Sequence, residues 1–478
     1  MDRRKFLQFL GGAAVVSAQI PRPLNFVFIL IDDMGWTDLG CYGGKSYDTP
    51  NIDRLASQGM RFTNAYAACP VCSPTRASIM TGKYPARLHL TDWIPGRKQW
   101  PTAKLIVPKF RQELPLEEIT LAEALKPAGY VSASIGKWHL GGEGYFPTDQ
   151  GFDRNVGGTA RGSPTTYFGP FDLPGLKGGP EGEYLTDRLS TEAEKFIEEN
   201  KDRPFFLYLP EFAVHLPLQG KKDLVAKYQA KLKSSETQNN PIYAAMVESV
   251  DQGVGRLLQK LDDLHIADRT VVILTSDNGG LRYEGSQTKP VTSNAPLRAG
   301  KGHLYEGGIR EPLIVRWPGV VKAGSVCDDP MISVDYFPTI LEMARLGKPK
   351  NPVDGVSIMP LLTQKGRLER DAIYWHYPHY SNQGGPPAGA VRKGDYKLIE
   401  FYEDGRLELF NLKDDVGERR NLTRKEPRKA AELLAMLKRW RESVKAVMPA
   451  MNPNYDAAKA DQGLTGVEPK TPEWSAGQ

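Results

Sequence analysis

Five near-continuous apolar runs divide the chain, and each stops at a polar or turn-forming group. Asn25–Ile31 stops at Asp32-Asp33, Val131–Ile135 at Gly136-Lys137, and Pro204–Leu209 near Glu211. Thr270–Thr275 stops at Ser276-Asp277-Asn278, and Pro312–Trp317 at Pro318-Gly319. Runs without polar alternation bury both faces, as strands of a mostly parallel sheet do. Helical patterns lie between them. Thr120 and Glu123 form a capping-box pattern that opens a helix over Thr120–Ala128. Over Ile242–Leu261 the apolar residues Met246, Val250, Val254, Leu257 and Leu261 share one stripe. The expectation is an α/β fold, a mostly parallel sheet covered by helices. Ligands of such sheets bind beyond the carboxyl ends of the strands. Three of the five runs end there in groups able to hold an ion or an anion.

The tail changes character. Tyr396–Tyr402 and Leu407–Phe410 flank Asp404-Gly405, a hairpin signal. Glu426-Pro427 then opens a helix through Arg441 with Leu433, Leu434, Leu437 and Trp440 on its apolar face. This predicts a catalytic domain over 22–365, a small C-terminal α+β subdomain over 366–450, and an extended tail over 451–478. At the other end, Arg3-Arg4 precedes a short apolar stretch, and Val16-Ser17-Ala18 suits a signal peptidase. Residues 1–18 therefore read as a twin-arginine signal peptide, which implies export by the twin-arginine machinery and a bacterial periplasmic or secreted location. No run is long and apolar enough for a stable membrane span.

Charge excludes one class of partner. Lys+Arg 62 against Asp+Glu 57 gives a net charge of +5 over 478 residues. No basic run tracks a phosphate backbone, so no nucleic-acid partner is expected. The four cysteines are too few for a disulfide scaffold. Cys69 and Cys72 form a CxxC without a second pair, which argues against structural zinc.

The polar ends carry the chemistry. Asp32-Asp33 places two acids at one strand end, where a hard cation relieves their repulsion; an exposed turn is the plain alternative. Asp277-Asn278-Gly279-Gly280 repeats the theme, with glycines that permit close backbone approach; here the alternative is an Asx-Gly turn. In Cys72-Ser73-Pro74-Thr75-Arg76, the cysteine and arginine share a face if the segment is helical. Arg76 would then lower the thiol pKa or, with the helix N-terminus, hold an anion beside it; burial as a small hydrophobe is the plain alternative for the cysteine. Lys137 and His139 follow another strand. His215 and Lys301 complete the set.

Together these motifs resemble the type I, formylglycine-dependent sulfatases of the alkaline-phosphatase-like superfamily, over about residues 25–400. The resemblance is carried by Cys72-x-Pro74-x-Arg76 with Ala77-Ser78 and Thr81-Gly82, and by Asp32-Asp33 with Gly35. It is carried also by Gly136-Lys137-Trp138-His139, Ser276-Asp277-Asn278-Gly279, and Lys301-Gly302 before Glu306-Gly307-Gly308. Lys83 stands where the family usually has arginine. The resemblance implies an alkaline-phosphatase-like mixed, mostly parallel sheet covered by helices, with a smaller C-terminal antiparallel sheet plus helix. It implies hydrolysis of sulfate monoesters by a formylglycine hydrate formed from Cys72, which requires a formylglycine-generating or equivalent maturation enzyme. Ca²⁺ would be held by Asp32, Asp33, Asp277 and Asn278, with the modified Cys72 at the metal. Arg76 and His139 map onto residues that hold the hydrate. Lys137, His215 and Lys301 map onto residues that bind sulfate and act at the leaving oxygen.

The expected substrate is a sulfated saccharide. Tyr374-Trp375-His376-Tyr377-Pro378-His379-Tyr380, followed by Gln383-Gly384-Gly385, is expected to fold over the site mouth, as segments at this place do in such sulfatases; a packed core strand leading into the tail is the plain alternative. His376, His379, Arg87, His89 and Arg97, with Trp93, are the rim candidates. A phosphomonoester or phosphonate hydrolase of the same superfamily is the first alternative, but it needs more His and Asp metal ligands than the chain offers. A non-enzymatic carbohydrate-binding protein is the second, and it has no use for the Cys72 motif.

Overall fold

The computed structural model describes residues 23–233, 238–282, 291–347 and 351–459. The signal peptide expected over 1–18 lies outside the described residues, as does the tail beyond Lys459. The main sheet has nine strands. Its order is Met331–Ile332, Met60–Tyr66, Arg310–Arg316, Thr270–Ser276, Asn25–Ile31, Phe205–Pro210, Val131–Ile135 and Arg154–Val156, with Ser325–Cys327 pairing Met60–Tyr66. Arg310–Arg316 runs antiparallel to both its neighbours, and every other pairing is parallel. The architecture is the α/β sheet that the apolar runs predict. The direction of the Arg310 strand was not legible, because a run buried on both faces reads the same either way.

Both faces of Asn25–Ile31 are buried. Val27, Ile29 and Ile31 pack into one apolar layer, and Phe26, Phe28 and Leu30 into the other. This is why the run shows no polar alternation. The helix Pro241–Asp263 covers the first layer, with Met246, Val250, Val254, Leu257 and Leu261 buried as the stripe requires. The helix Cys72–Thr81 and the short helix Leu121–Leu125 cover the second. Leu121–Leu125 begins with the expected capping box: Thr120 Oγ1 accepts from the Glu123 amide, and Glu123 accepts from the Thr120 amide.

The smaller sheet is antiparallel, in the order Ile373–Tyr377, Ala388–Lys393, Tyr396–Phe401, Leu407–Asn411. The helix Pro427–Ser443 packs on one face through Leu433 and Leu437. The other face joins the main body: Ile373, Trp375 and Tyr377 share a core with Tyr66, Val71 and Ile309. Beyond Ser443, Ala450–Met451 pairs with Leu105–Ile106.

Candidate active site

The sheet order brings the polar ends together. Thr270–Ser276, Asn25–Ile31, Phe205–Pro210 and Val131–Ile135 are consecutive parallel neighbours. Their carboxyl ends therefore place Asp277-Asn278, Asp32-Asp33, Glu211 and Lys137 in a row. The reversed strand contributes its amino end, so Lys301 and Glu306, which precede it, reach the same edge. Glycine permits this crowding. A Cβ on Gly279 would lie 1.9 Å from the Gly307 carbonyl oxygen, and one on Gly136, at φ +125°, would lie 1.9 Å from that of Pro210. Asp33 and His139 also hold positive φ, at 61° and 59°. Such backbone persists where the surroundings over-determine it. At Asp33 the Tyr243 hydroxyl bridges the main-chain oxygen and the Asp38 carboxylate, at 3.2 and 2.6 Å.

Cys72 opens the helix Cys72–Thr81, and Arg76 lies one turn on, as the shared face requires. The Arg76 guanidinium is fully buried. Its Nε donates to Asp277 Oδ2 at 2.8 Å, Nη1 donates to the Lys137 carbonyl at 2.7 Å, and Nη2 stands 3.7 Å from Asp32. Lys137 Nζ donates to Asp32 Oδ2. Lys301 Nζ reaches both oxygens of Asp33, at 2.6 and 2.8 Å. Three carboxylates thus face three fixed cations.

Electrostatics divides the adjacent acids. Burial, reinforced by Asp277, pushes Asp32 up to about 7. Burial acts on Asp33 too, but Lys301, His215 and Lys137 outweigh it and hold the carboxyl at about 2. Two oxygens in this cluster, Asp32 Oδ1 and Asn278 Oδ1, are buried with no hydrogen-bond partner. Buried acceptors left in this way are costly. Two unsatisfied hard oxygens beside Asp33 make a donor set that fits a hard cation. Asp277 has both oxygens engaged, by Arg76 and by the Asp33 amide, though carboxylate oxygens have lone pairs to spare. Among the described residues, one group of three His, Cys, Asp or Glu residues has metal-ligand spacing: Asp32, Asp33 and His215. The richer His and Asp sets of a two-metal phosphatase are not met there.

The two histidines have readable tautomers. A carbonyl only accepts, so His139 Nε2 carries the proton that bonds Ile94 O, and Nδ1 faces Cys72 Sγ at 3.3 Å as an acceptor. Burial and then Lys137 hold His139 well below its ordinary pKa, so it stays neutral. His215 Nδ1 donates to Leu216 O at 3.1 Å, which turns Nε2 toward Asp33 at 3.7 Å. Burial and Lys301 hold His215 at about 3. Burial raises the Cys72 thiol against the pull of Lys137 and Lys301.

A cavity of about 750 Å³ opens onto Cys72, His139, His215 and Lys301. Its mouth is formed by Trp93 to Pro95, Ala160 to Thr165, Leu216, Leu281, Asn382 and Gln383. The charged groups lining it are cationic: Lys301 and Arg161, with no carboxylate among the described lining residues. Lys137 and Arg76 lie behind the acids rather than on the wall. Gln383 lines the mouth, as expected of the segment after Tyr380, and its carbonyl bonds His303 Nε2 at 3.0 Å.

None of the rim candidates Arg87, His89, Arg97, His376 and His379 is among the residues lining this cavity. Arg87 forms a two-pronged ion pair with Asp354. His89 caps the short helix Pro85–Leu88. His376 is buried between Tyr402 Oη, at 2.7 Å, and Val447 O, at 3.1 Å. His379 is buried against Thr91 Oγ1 and Phe110. Arg97 donates to Ser381 O and lies over Trp100. Sequence reasoning missed Arg161, Thr165 and Asn382. For Arg161 and Thr165 the one local signal is a polar loop broken by Gly162 and Pro164.

Comparison with known proteins decides the family. The family model described as Sulfatase matches residues 24–346. This chain belongs to the sulfatase family. It is a type I sulfatase with the alkaline-phosphatase-like fold, and a sulfuric ester hydrolase. A second model, N-sulphoglucosamine sulphohydrolase, C-terminal, matches residues 299–446. A sulfatase of Formosa agariphila is 34% identical, covering 84% of this chain and 85% of its own. The human N-acetylgalactosamine-6-sulfatase is 36% identical over 74% of this sulfatase and 69% of itself. Among solved structures, Ps i-CgsB matches with a TM-score of 0.75 at 28% identity, covering 91% of this chain and 95% of that one. The family generally uses formylglycine and a metal ion, and Asp32, Asp33 and His215 form a group with metal-ligand spacing.

Proposed function

We propose that this sulfatase hydrolyses a sulfate monoester on a sulfated saccharide, with Cys72 converted to formylglycine and Ca²⁺ held by Asp32, Asp33, Asp277 and Asn278. The observation that carries the mechanism is the Cys72–His139 contact on the floor of a cavity lined by cations. Cys72 Sγ stands in for one oxygen of the formylglycine hydrate. With Cys72 as the hydrate, that oxygen would attack sulfur while its proton passes to one of the carboxylates facing Cys72, Asp277 or Asp32, and the bond from sulfur to the sugar oxygen would break. Lys301 and His215 line the cavity, and they are the groups assigned here to the leaving oxygen. Lys301 is held protonated by Asp33 despite burial. His215 is neutral in the free site, and the negative charge of bound sulfate draws a proton onto Nε2, from which the sugar oxygen takes it. His139 Nδ1 then accepts the proton of the second hydroxyl. The carbon–oxygen bond to sulfate breaks, the aldehyde re-forms, and sulfate leaves. A divalent cation held by Asp32, Asp33, Asp277 and Asn278 would supply positive charge against the negative charge of the sulfate.

The saccharide reading is supported by relatives and by the mouth. BT4656, 25% identical with a TM-score of 0.69, is described in complex with its substrate D-glucosamine-2-N,6-O-disulfate. Ps i-CgsB has been solved with a neocarrahexaose. Trp93 offers a flat face beside Arg161, Asn382 and Gln383, which suits a sugar and its hydroxyls. The N-terminal signal supports export through the twin-arginine route, with cleavage near Ala18, to the periplasm or beyond.

The test is a desulfation screen over defined sulfated mono- and oligosaccharides beside an aryl sulfate, with the mass of the tryptic peptide containing residue 72. Turnover of a sulfated sugar by protein carrying formylglycine is expected. Turnover of the aryl ester with every sugar left intact would refute the saccharide reading. A fully active C72A variant would refute the nucleophile.

A further inference from the structure

Between Trp93 and Gln112 the chain carries five basic residues, Arg97, Lys98, Lys104, Lys109 and Arg111, and no acid. Asp92, just before it, is buried and accepts from Tyr377 Oη and the Trp93 amide. This segment leaves the active-site mouth directly, since Trp93, Ile94 and Pro95 line the cavity.

The segment is a fixed arm. Trp100 packs on Tyr380 with centroids 4.8 Å apart, and Phe110 meets His379 edge-on at 5.2 Å. The Leu105 amide donates to Tyr380 Oη at 3.1 Å, and the Val107 amide to Gln99 at 2.9 Å. Leu105–Ile106 is paired with Ala450–Met451. The aromatic segment expected at the rim is thus the arm's anchor. On this scaffold Lys98, Lys109 and Arg111 are exposed and form no ion pair among the described residues. Lys445 joins them: apart from burial, Arg111 and Lys445 are what hold His89 below its ordinary pKa.

We propose that the Trp93–Gln112 arm is a docking surface for the anionic chain that carries the scissile sulfate, so that the substrate class is a polyanionic oligosaccharide rather than an isolated sulfated sugar. This rests on the saccharide reading above. Charge complementarity identifies the occupant, and continuity with the mouth fixes its direction. A chain with one sulfate in the cavity passes Trp93 and presents its next anionic groups to Lys98, Lys109 and Arg111. Exposed contacts of this kind are screened by salt, because the Debye length shrinks from about 8 Å at physiological ionic strength to about 3 Å at 1 M. Rim charges act mainly on capture and its salt dependence.

The test compares full-length wild type with K98A/K109A/R111A on a sulfated hexasaccharide and on the sulfated monosaccharide from its reactive end. In wild type kcat/KM should favour the hexasaccharide through KM, and 1 M NaCl should erase the preference. The triple variant should lose about tenfold on the hexasaccharide, with kcat and the monosaccharide reaction unchanged. Equal KM for both sugars in wild type would overturn the proposal, as would equal losses on both in the variant. A DNA strand of the same charge that inhibits as well as non-cleavable sulfated hexasaccharide would also overturn it, by reducing the arm to a generic anion surface. If an aryl sulfate is cleaved and neither sugar is, the saccharide reading fails first, and the arm's proposed role fails with it.

Discussion

His139 is fixed between two partners of opposite demand: its Nε2–H is pinned to the Ile94 carbonyl, and its Nδ1 faces Cys72 Sγ at 3.3 Å. The first contact dictates the second, since a proton on Nε2 leaves Nδ1 as the acceptor. A base so placed acts on the group at position 72 and not on the distant leaving oxygen. His139→Ala should therefore leave formation of the sulfated enzyme largely intact and slow its breakdown. We expect kcat to fall by about 10²–10⁴ and intact-mass spectra to show a sulfated adduct at steady state. A slow variant with no adduct would move His139 to the first step.

The orphaned oxygens of Asp32 and Asn278 make a prediction about metal. Exhaustive chelation of active enzyme should abolish turnover and lower Tm, and Ca²⁺ should restore both. Binding to the folded state alone stabilises it by mass action, so Tm should rise with free Ca²⁺. Two zinc ions per chain in elemental analysis would favour the phosphatase alternative.

A second charge cluster lies where the two sheets meet. Lys397 Nζ pairs with Glu306 and Glu418, each at 2.9 Å, and all three are buried. Burial pushes Glu306 up, but Lys397 and Arg310 outweigh it and hold the carboxyl at about 2. Its ionised form therefore contributes stability in full above its unfolded pKa, and that contribution is lost as pH falls from about 4.5 toward 2. Glu418 is shifted the other way, to about 7, by burial. Its ionisation subtracts stability between about 4.5 and 7. Tm should thus fall on acidification below 4.5 and fall also as pH rises from about 4.5 toward 7. Lys397→Met leaves Glu418 without its cation and Glu306 with Arg310, and should cost about 3–5 kcal/mol at neutral pH. A variant as stable as wild type in denaturant titration would refute the pairing.

Much of this was legible because burial leaves a local mark. The apolar runs named the central strands, and their polar ends named Asp32, Asp33, Lys137 and Asp277 before any geometry was known. Thr120 with Glu123, and the stripe on Pro241–Asp263, were equally local. The mouth was not. Arg87 looked available until Asp354, 267 residues away, was seen to clamp it. His376 and His379 looked like sugar ligands because imidazole suits both a rim and a core, and spacing does not distinguish the two. Arg161 lines the same cavity as Asn382 and Gln383 only because two loops distant in sequence converge, which no periodicity records.

One such convergence gives the sharpest test. Gly162 lies in the loop that closes over His139, and a Cβ there would meet His139 Cε1 at 2.5 Å and Nε2 at 2.8 Å. The imidazole cannot retreat, since Ile94 O holds one side and Cys72 the other. Gly162 is half-buried and lies outside the main core, so Gly162→Ala should fold normally. The added methyl should tilt the ring, lengthen the Nε2–Ile94 bond and misalign Nδ1. Small misplacements of catalytic groups cost up to about 10²-fold. We expect kcat to drop by about 10–100-fold with Tm nearly unchanged. The pH profile of kcat should also shift, because a ring freed from the Ile94 carbonyl exchanges tautomers. The same profile and kcat as wild type would show that the loop yields instead, and that Gly162 does not position the base.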